Sequence, residues 1–338
     1  MLGAATGIAA LVSFAVTVLL GFVAIPFLKR LKFGQSILED GPTWHMKKQG
    51  TPTMGGIMPI AGVVCAVALT FLVFTIAWPT VLPGETSLQK TRLWFGLLMA
   101  LCMGLIGFLD DYIKVVKKRN LGLTSKQKLF LQILAALVYA IPVYLAGEHG
   151  MYIPFYGDFE MGIWYIPVMV FIIAAVVNAV NLTDGLDGLA SSITFFVSVT
   201  FMVTAGLLSM LGVAIAGAAM AGACLGFLVW NFYPAKVFMG DTGSLFMGGM
   251  VCALIFGVDM PLLFLPAGII FLAETLSVSM QVIFFKLTHG KRLFKMAPLH
   301  HHFEMSGWRE VKVTTVFSIV TIVGCVATLL LVIYDRIL

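Results

Sequence analysis

The chain has 338 residues, of which 60% are hydrophobic and only 11% charged. A water-soluble domain of this length must wet its surface with far more polar residue, so a soluble fold is excluded and an all-α, polytopic membrane protein is expected. The formal net charge of +5 flanks apolar runs, which argues against a nucleic-acid partner and for the lipid bilayer as the surroundings.

A membrane helix needs roughly 20 apolar residues. In chain order the apolar runs predict ten spans, at about 4–28, 56–77, 92–109, 129–146, 163–180, 191–209, 211–230, 244–258, 262–285 and 313–334. The first, Leu2 to Leu28, is too long for the apolar part of a signal peptide and lacks a basic leader, so it reads as a span. The sixth and seventh meet in Leu208-Ser-Met-Leu-Gly212, barely a turn, and the seventh is rich in Gly and Ala, which suits close helix packing. Between the fourth and fifth, Glu148 to Met161 carries aromatic and Gly residues that suit a small hairpin. No gap is long enough for a separate soluble domain, so residues 1–338 form one integral membrane unit. The five cysteines (Cys65, Cys102, Cys224, Cys252, Cys325) lie inside apolar runs without paired spacing and read as small core residues.

The basic residues are not evenly spread. Of the 21 Lys and Arg, all but Lys90, Arg92 and Arg336 fall in or beside the gaps after the first, third, seventh and ninth spans. The positive-inside rule then places both termini outside and the odd-numbered gaps in the cytoplasm. Those gaps form loops at about 29–55, 110–128, 181–190, 231–243 and 286–312.

The same gaps hold the polar groups. The first contains Lys48, Thr51 and Thr53 among Gly and Pro; such a segment can wrap a phosphate-bearing ligand, and a basic loop against anionic lipid has the same composition. The third span ends in Asp110-Asp111-Tyr-Ile-Lys114. Adjacent helical residues point about 100° apart, so the two acids are expected to share a site only if the helix frays. Lys114 stands four residues from Asp110, in reach of an ion pair.

Between the fifth and sixth spans lies Asn178-Ala-Val-Asn181-Leu-Thr-Asp184-Gly-Leu-Asp187-Gly-Leu189. Carboxylates beside hydrocarbon are costly and usually functional, although the same stretch would serve as a cap and turn. After the seventh span, Asn231 precedes Phe238-Met-Gly240-Asp241-Thr-Gly243-Ser244. Asp241 suits a helix N-cap and, beside phosphates, a carboxylate holding Mg²⁺. Phe238 could stack on a base or simply sit at the membrane interface. In the ninth span Glu274 and Gln281 lie on one face, and an acid this deep should face protein or water; its role, structural or functional, stays open at this level. Beyond it come His300-His301-His302-Phe-Glu304. Three adjacent histidines rarely converge on one tetrahedral ion, and donation to phosphate oxygens is the better use. Together these acids, lysines and histidines on one face suggest a metal-dependent phosphoryl-type transferase with a lipid substrate. The rival class, an ion-coupled transporter, would place its acids near the midplane.

Five segments carry a more specific likeness: Gly50-Thr-Pro-Thr-Met-Gly-Gly56, Asp110-Asp-Tyr-Ile-Lys114, Asn181-Leu-Thr-Asp-Gly-Leu-Asp-Gly-Leu189, Phe238-Met-Gly-Asp-Thr-Gly-Ser244 and Pro298-Leu-His-His-His-Phe-Glu304. In this order the chain resembles the polyprenyl-phosphate N-acetylhexosamine-1-phosphate transferase family over essentially its whole length. The His-His-His-Phe-Glu form points to the muramoyl-pentapeptide branch and away from the sister enzymes that use UDP-GlcNAc. The resemblance implies transfer of phospho-MurNAc-pentapeptide from UDP-MurNAc-pentapeptide to undecaprenyl phosphate, giving lipid I and UMP, with Mg²⁺ required, in the bacterial inner membrane. It implies Mg²⁺ on Asp241, a catalytic set of Asp110, Asp111, Asp241 and His300, and a proton-accepting role for Asp110. It further implies that Asp184, Asp187, Asn231 and Phe238 surround the uridine, with the Phe238 ring stacked on uracil. Lys48, Thr53, Gln281, His300 and His301 would form the nucleotide-sugar rim, with Lys114 and Lys126 as basic residues of the same cleft; Asn178, Asn181 and His302 are further expected to bind substrate. The sequence leaves the oligomeric state open, a homodimer included.

Overall fold

A computed structural model of the chain describes residues 2–30, 48, 50–77, 85–116 and 122–338. Most of the expected loop at 29–55, and residues 117–121 of the loop at 110–128, lie outside the described residues. The described residues form helices and one hairpin. Ten of the helices are long and apolar enough to cross a membrane. These are α1 (Leu2–Arg30), α2 (Ile57–Ala77), α3 (Ser87–Val116), α4 (Ser125–Leu145), α5 (Tyr165–Thr183), α6 (Leu189–Leu207), α7 (Leu211–Asn231), α8 (Gly240–Gly257), α10 (Ile269–Leu287) and α12 (Glu310–Arg336). Two short helices, α9 (Phe264–Ala267) and α11 (Leu299–Glu304), complete the set. The protein is an all-α polytopic membrane protein, as the composition predicts.

Two helices start earlier than their apolar runs do, for the same reason. Before α4, Thr124 and Gln127 form a capping box, each side chain bonded to the other's backbone. Before α3, Thr86 and Gln89 make the same reciprocal pair, with Gln89 N–H donating to Thr86 Oγ1 at 3.2 Å and Thr86 N–H to Gln89 Oε1 at 2.8 Å. A polar, well-capped first turn adds helix that hydropathy does not register. The expected ninth span, at about 262–285, is broken instead of continuous. Pro261–Leu263 forms a 3₁₀ turn, α9 follows, and α10 starts anew after Gly268. Pro266 lacks an amide hydrogen and Gly268 is a poor helix former, so the run does not hold one helix.

The centre of the bundle is α8, whose residues are buried from Thr242 to Gly257. It lies chiefly against α3 and α5. Small residues bring these backbones together, since a side chain on Gly249 would press on Ala100 of α3 and one on Gly248 on Val177 of α5. The Gly- and Ala-rich α7 is likewise buried along most of its length and packs on α1 and α6. Without a hydrophobic driving force between helices in lipid, such close backbone contact supplies the association. Three of the five cysteines are buried, Cys102 is half-buried, and Cys65 is exposed on the outer surface of α2.

At one end of the bundle lies the expected hairpin, β1 (Gly150–Ile153) antiparallel to β2 (Gly157–Glu160). Its Tyr152 N–H donates to the Asp259 carbonyl at 3.3 Å. Beside it Arg92 pairs with Glu148 and, at 3.0 Å, with Asp259. The opposite end gathers the C-terminal ends of α3, α5, α7 and α10 with the N-terminal ends of α2, α4, α6, α8 and α12. All five segments of the family likeness meet there.

Candidate active site at one end of the bundle

The floor of the site is the junction of α3 with α8. Gly240, the first residue of α8, has φ +71°, a conformation that L side chains rarely adopt. A side chain there would also collide with Asp111 and Thr53. This opening turn presents its N–H groups to Asp111. The Asp111 carboxylate accepts from Thr242 N–H at 2.9 Å, from Thr242 Oγ1–H at 2.7 Å and from Asp241 N–H at 3.2 Å. An acid on one helix thus caps the first turn of another.

Asp110, Asp111 and Asp241 each bring a carboxylate oxygen to within 4.8 Å of the others, and among the described residues they are the one such cluster of three. Asp110 and Asp111 are almost fully buried. Contrary to the expectation of a frayed end, α3 continues through both acids to Val116. They share the site because Asp241 enters from a second helix and lies within reach of each.

Two lysines offset this negative charge. Lys114 Nζ stands 2.6 Å from Asp110 Oδ2 and 2.9 Å from Asp241 Oδ2. Lys128, on the second turn of α4, stands 2.8 Å from Asp241 Oδ2 and 3.5 Å from Asp110 Oδ2. The other basic residue expected in the cleft, Lys126, is exposed on the same helix. Asp110 Oδ1 accepts from Leu123 N–H at 2.8 Å, which ties the entry to α4 to the end of α3. From α5, Asn181 Nδ2 donates to Asp241 Oδ1 at 2.9 Å and to Ser244 Oγ at 2.7 Å. Three carboxylates this close, with Lys ammonium groups now between them, fit a divalent cation by donor type and number.

Asp184 follows directly on the last residue of α5. Burial first, and then the negative charges of Asp241, Asp111 and Asp187, push its carboxyl up to about 7. Asp187 does different work. Its Oδ1 pairs with Lys48 at 2.7 Å and its Oδ2 accepts from Ala235 N–H at 2.9 Å. Lys48 also pairs with Glu310 of α12 at 2.7 Å, so this one ammonium joins three chain segments. Asn231 is buried; it accepts from Gly188 N–H at 3.1 Å and donates to the Val237 carbonyl at 3.0 Å. Phe238 is half-buried. Its backbone is locked by Phe238 N–H to Pro52 O at 2.8 Å and Gly55 N–H to Phe238 O at 2.9 Å.

The three histidines fan out onto three partners. His300 Nδ1 lies 3.0 Å from Glu274 Oε2, and His301 Nδ1 lies 2.8 Å from Glu304 Oε2. His302 Nδ1 accepts from Lys295 N–H at 3.1 Å. Gln281 accepts from the N–H groups of Leu293 and Phe294 at 3.0 and 2.9 Å, holding the loop beneath them. Asn178 stands apart from the carboxylates: it is bonded to Gln132 of α4 at 2.7 Å and to the Ala174 carbonyl at 2.8 Å.

The structure therefore gathers Asp110, Asp111, Asp241, Lys114 and Asn181, with Thr53 beside Gly240, into one cluster. Lys48 and Asp187 form a second, and His300 belongs with Glu274. Sequence reading passed over Lys128, Glu310 and the link between Glu274 and His300. The Thr124–Gln127 capping box signals where α4 begins, but not which of its lysines faces the carboxylates.

Comparison with known proteins gives a consistent picture. Residues 93–258 match the family described as Glycosyl transferase family 4. A protein of Acetivibrio thermocellus named phospho-N-acetylmuramoyl-pentapeptide-transferase is 47% identical, over 94% of this chain and 92% of its own length. Proteins of the same name from Clostridioides difficile and Bacillus velezensis are 46% and 47% identical, covering 93% and 91% of this chain and 94% and 91% of their own lengths.

Proposed function

The chain belongs to the phospho-N-acetylmuramoyl-pentapeptide transferase family, and from that premise we propose that it transfers phospho-MurNAc-pentapeptide from UDP-MurNAc-pentapeptide to undecaprenyl phosphate, releasing UMP and forming lipid I. The observation that carries this reading is the triad of Asp110, Asp111 and Asp241, closed within 4.8 Å and flanked by two lysines. Attack by a lipid phosphate oxygen on the sugar-linked phosphorus brings two anionic reactants together, so positioning and charge neutralisation dominate the barrier. Lys114 and Lys128 supply mobile positive charge at the place where both phosphates must meet.

Asp241, with Asp110 beside it, would hold Mg²⁺, and Asn181 fixes the orientation of the Asp241 carboxylate. When bound, the ion offsets negative charge on the phosphate oxygens. Asp111 works as the cap that keeps Asp241 at the start of α8. Asp110 is engaged by Leu123 N–H and Lys114. A phosphate monoester loses its last proton near pH ~6, so a charge-placing role for Asp110 serves better than that of a base. Asp184, Asp187 and the half-buried Phe238 ring would face the uridine, with the histidine loop toward the sugar. The basic excess of the loops at this end supports a cytoplasm-facing site in the inner membrane, with both termini outside.

UMP release by the purified protein in detergent tests the reading, with UDP-MurNAc-pentapeptide, undecaprenyl phosphate and Mg²⁺ each omitted in turn. Release that needs all three is expected. Release from UDP-GlcNAc without any from UDP-MurNAc-pentapeptide would transfer the assignment to the sister enzymes.

A further inference from the structure

We infer that Glu274 is a positioning residue of the transferase, holding the His300 ring so that its Nε2 edge bears on the Asp184–Asp187 loop. Glu274, on α10, is fully buried, and His300, on α11, is 1% exposed. Their contact is two-pronged. Glu274 Oε1 accepts from the His300 backbone N–H at 3.1 Å, while Oε2 faces His300 Nδ1 at 3.0 Å. A carboxylate offers acceptors at both oxygens, so with the backbone N–H on one, the other fixes the ring hydrogen on Nδ1. Nε2 is then the ring's open hydrogen-bonding atom. It is buried and has no hydrogen-bond partner among the described residues.

That atom lies against Gly185, between Asp184 and Leu186. A Cβ added to Gly185 would overlap His300 Nε2 and Cε1, so glycine at this position is what lets the ring reach the loop. A line of contact thus runs from the core of α10 through His300 to the segment bearing Asp184 and Asp187. Buried polar atoms are nearly always satisfied, so the unpartnered His300 Nε2 is the atom that a polar group of the bound nucleotide-sugar would engage. Glu274 would act on the substrate only through His300, as a carboxylate bonded to the far nitrogen of a functional imidazole does when it sets the ring's tautomer and orientation. The inference rests on the proposed reaction for the identity of the substrate, but not for the geometry.

Glu274→Gln tests it, because glutamine keeps the shape and changes the donor pattern. Its oxygen still accepts from the His300 N–H, while its amide must donate to Nδ1, moving the ring hydrogen to Nε2. Full-length protein carrying ¹⁵N-histidine in lipid bilayers, compared by solid-state NMR with His300→Gln, reads the tautomer directly. The wild type is expected to carry hydrogen on Nδ1, and Glu274→Gln to carry it on Nε2 alone. UMP turnover should fall by about 10- to 100-fold, the range lost with hydrogen bonds to charged groups, with the thermal transition unchanged. A bare Nδ1 in the wild type overturns the inference. So does a tautomer change with unaltered turnover.

If Glu274→Gln yields no folded protein, Gly185→Ala carries the test by pushing the ring off the loop; unchanged turnover there overturns the inference. A wild type that holds hydrogen on Nδ1 yet releases no UMP from UDP-MurNAc-pentapeptide would defeat the substrate reading and leave the positioning geometry standing.

Discussion

Asp111 caps the helix that carries Asp241: its carboxylate takes the N–H and the hydroxyl of Thr242 at 2.9 and 2.7 Å. The bond joins α3 to the first turn of α8 and sets where the neighbouring acid stands. Asp111→Ala leaves these buried donors without an acceptor, which costs about 1–3 kcal/mol. A lower midpoint of thermal or denaturant unfolding in detergent would show it, with Thr242→Val giving a smaller shift in the same direction. A midpoint unchanged in Asp111→Ala would mean the cap holds nothing.

Asp241→Asn should reduce UMP release by at least about 100-fold, on the scale of losing one preorganised electrostatic contact. The remaining activity should need more Mg²⁺, because the ion loses a charged ligand. Titration of turnover against Mg²⁺ checks both. Near-normal turnover at ordinary Mg²⁺ would remove Asp241 from the metal.

Of the two lysines near the start of α4, Lys128 reaches Asp241 and Asp110, whereas Lys126 is exposed. Lys128→Ala is expected to lower turnover by about 10-fold or more, and Lys126→Ala by less. A larger loss from Lys126→Ala would show that the substrate-bound site recruits the exposed lysine.

Asp184 makes stability depend on pH in a direction opposite to that of a salt-bridged acid. Its carboxyl is pushed up to about 7 in the folded protein, against about 3.9 in an unfolded chain. The folded state therefore binds the extra proton, and this contribution to stability is fully present below about pH 4 and is lost as pH rises through the folded value. In Mg²⁺-free buffer, Asp184→Asn should flatten the fall in unfolding midpoint across that window. Parallel profiles for the two proteins would show that the carboxyl is not raised.

Phe238 is half-buried on a backbone clamped to Pro52 and Gly55, so its ring projects from a fixed point of the chain. Phe238→Ala should weaken UDP-sugar binding by about 2- to 10-fold, the value of one aromatic stack. Calorimetry with the UDP-sugar measures it, and an unchanged affinity would take the ring out of the uridine pocket.

The membrane spans were legible because the bilayer imposes one requirement on every helix, a run of about 20 apolar residues. The break at Gly268 was not, since a Pro and a Gly inside an apolar run leave its hydropathy intact. Asp110 and Asp111 were legible as acids out of place, yet their sharing of one site was mis-explained. Nothing local to α3 says that a third acid will approach from α8. Asn178, expected to bind substrate, is engaged with Gln132, a partner 46 residues away that no local pattern signals.

By itself, then, the sequence determined the membrane-spanning class, the chemical types of the site residues and the loops that carry them, because hydropathy, charge and motif spacing are local properties. Tertiary structure decided which charges meet. Lys128 rather than Lys126 stands on the carboxylates, Lys48 joins Asp187 to Glu310, and Glu274 takes hold of His300. Each of these pairings depends on how two helices rotate about their axes when packed. A rotation of one residue, about 100°, would put a different side chain in the site while leaving the apolar pattern of the span readable as before.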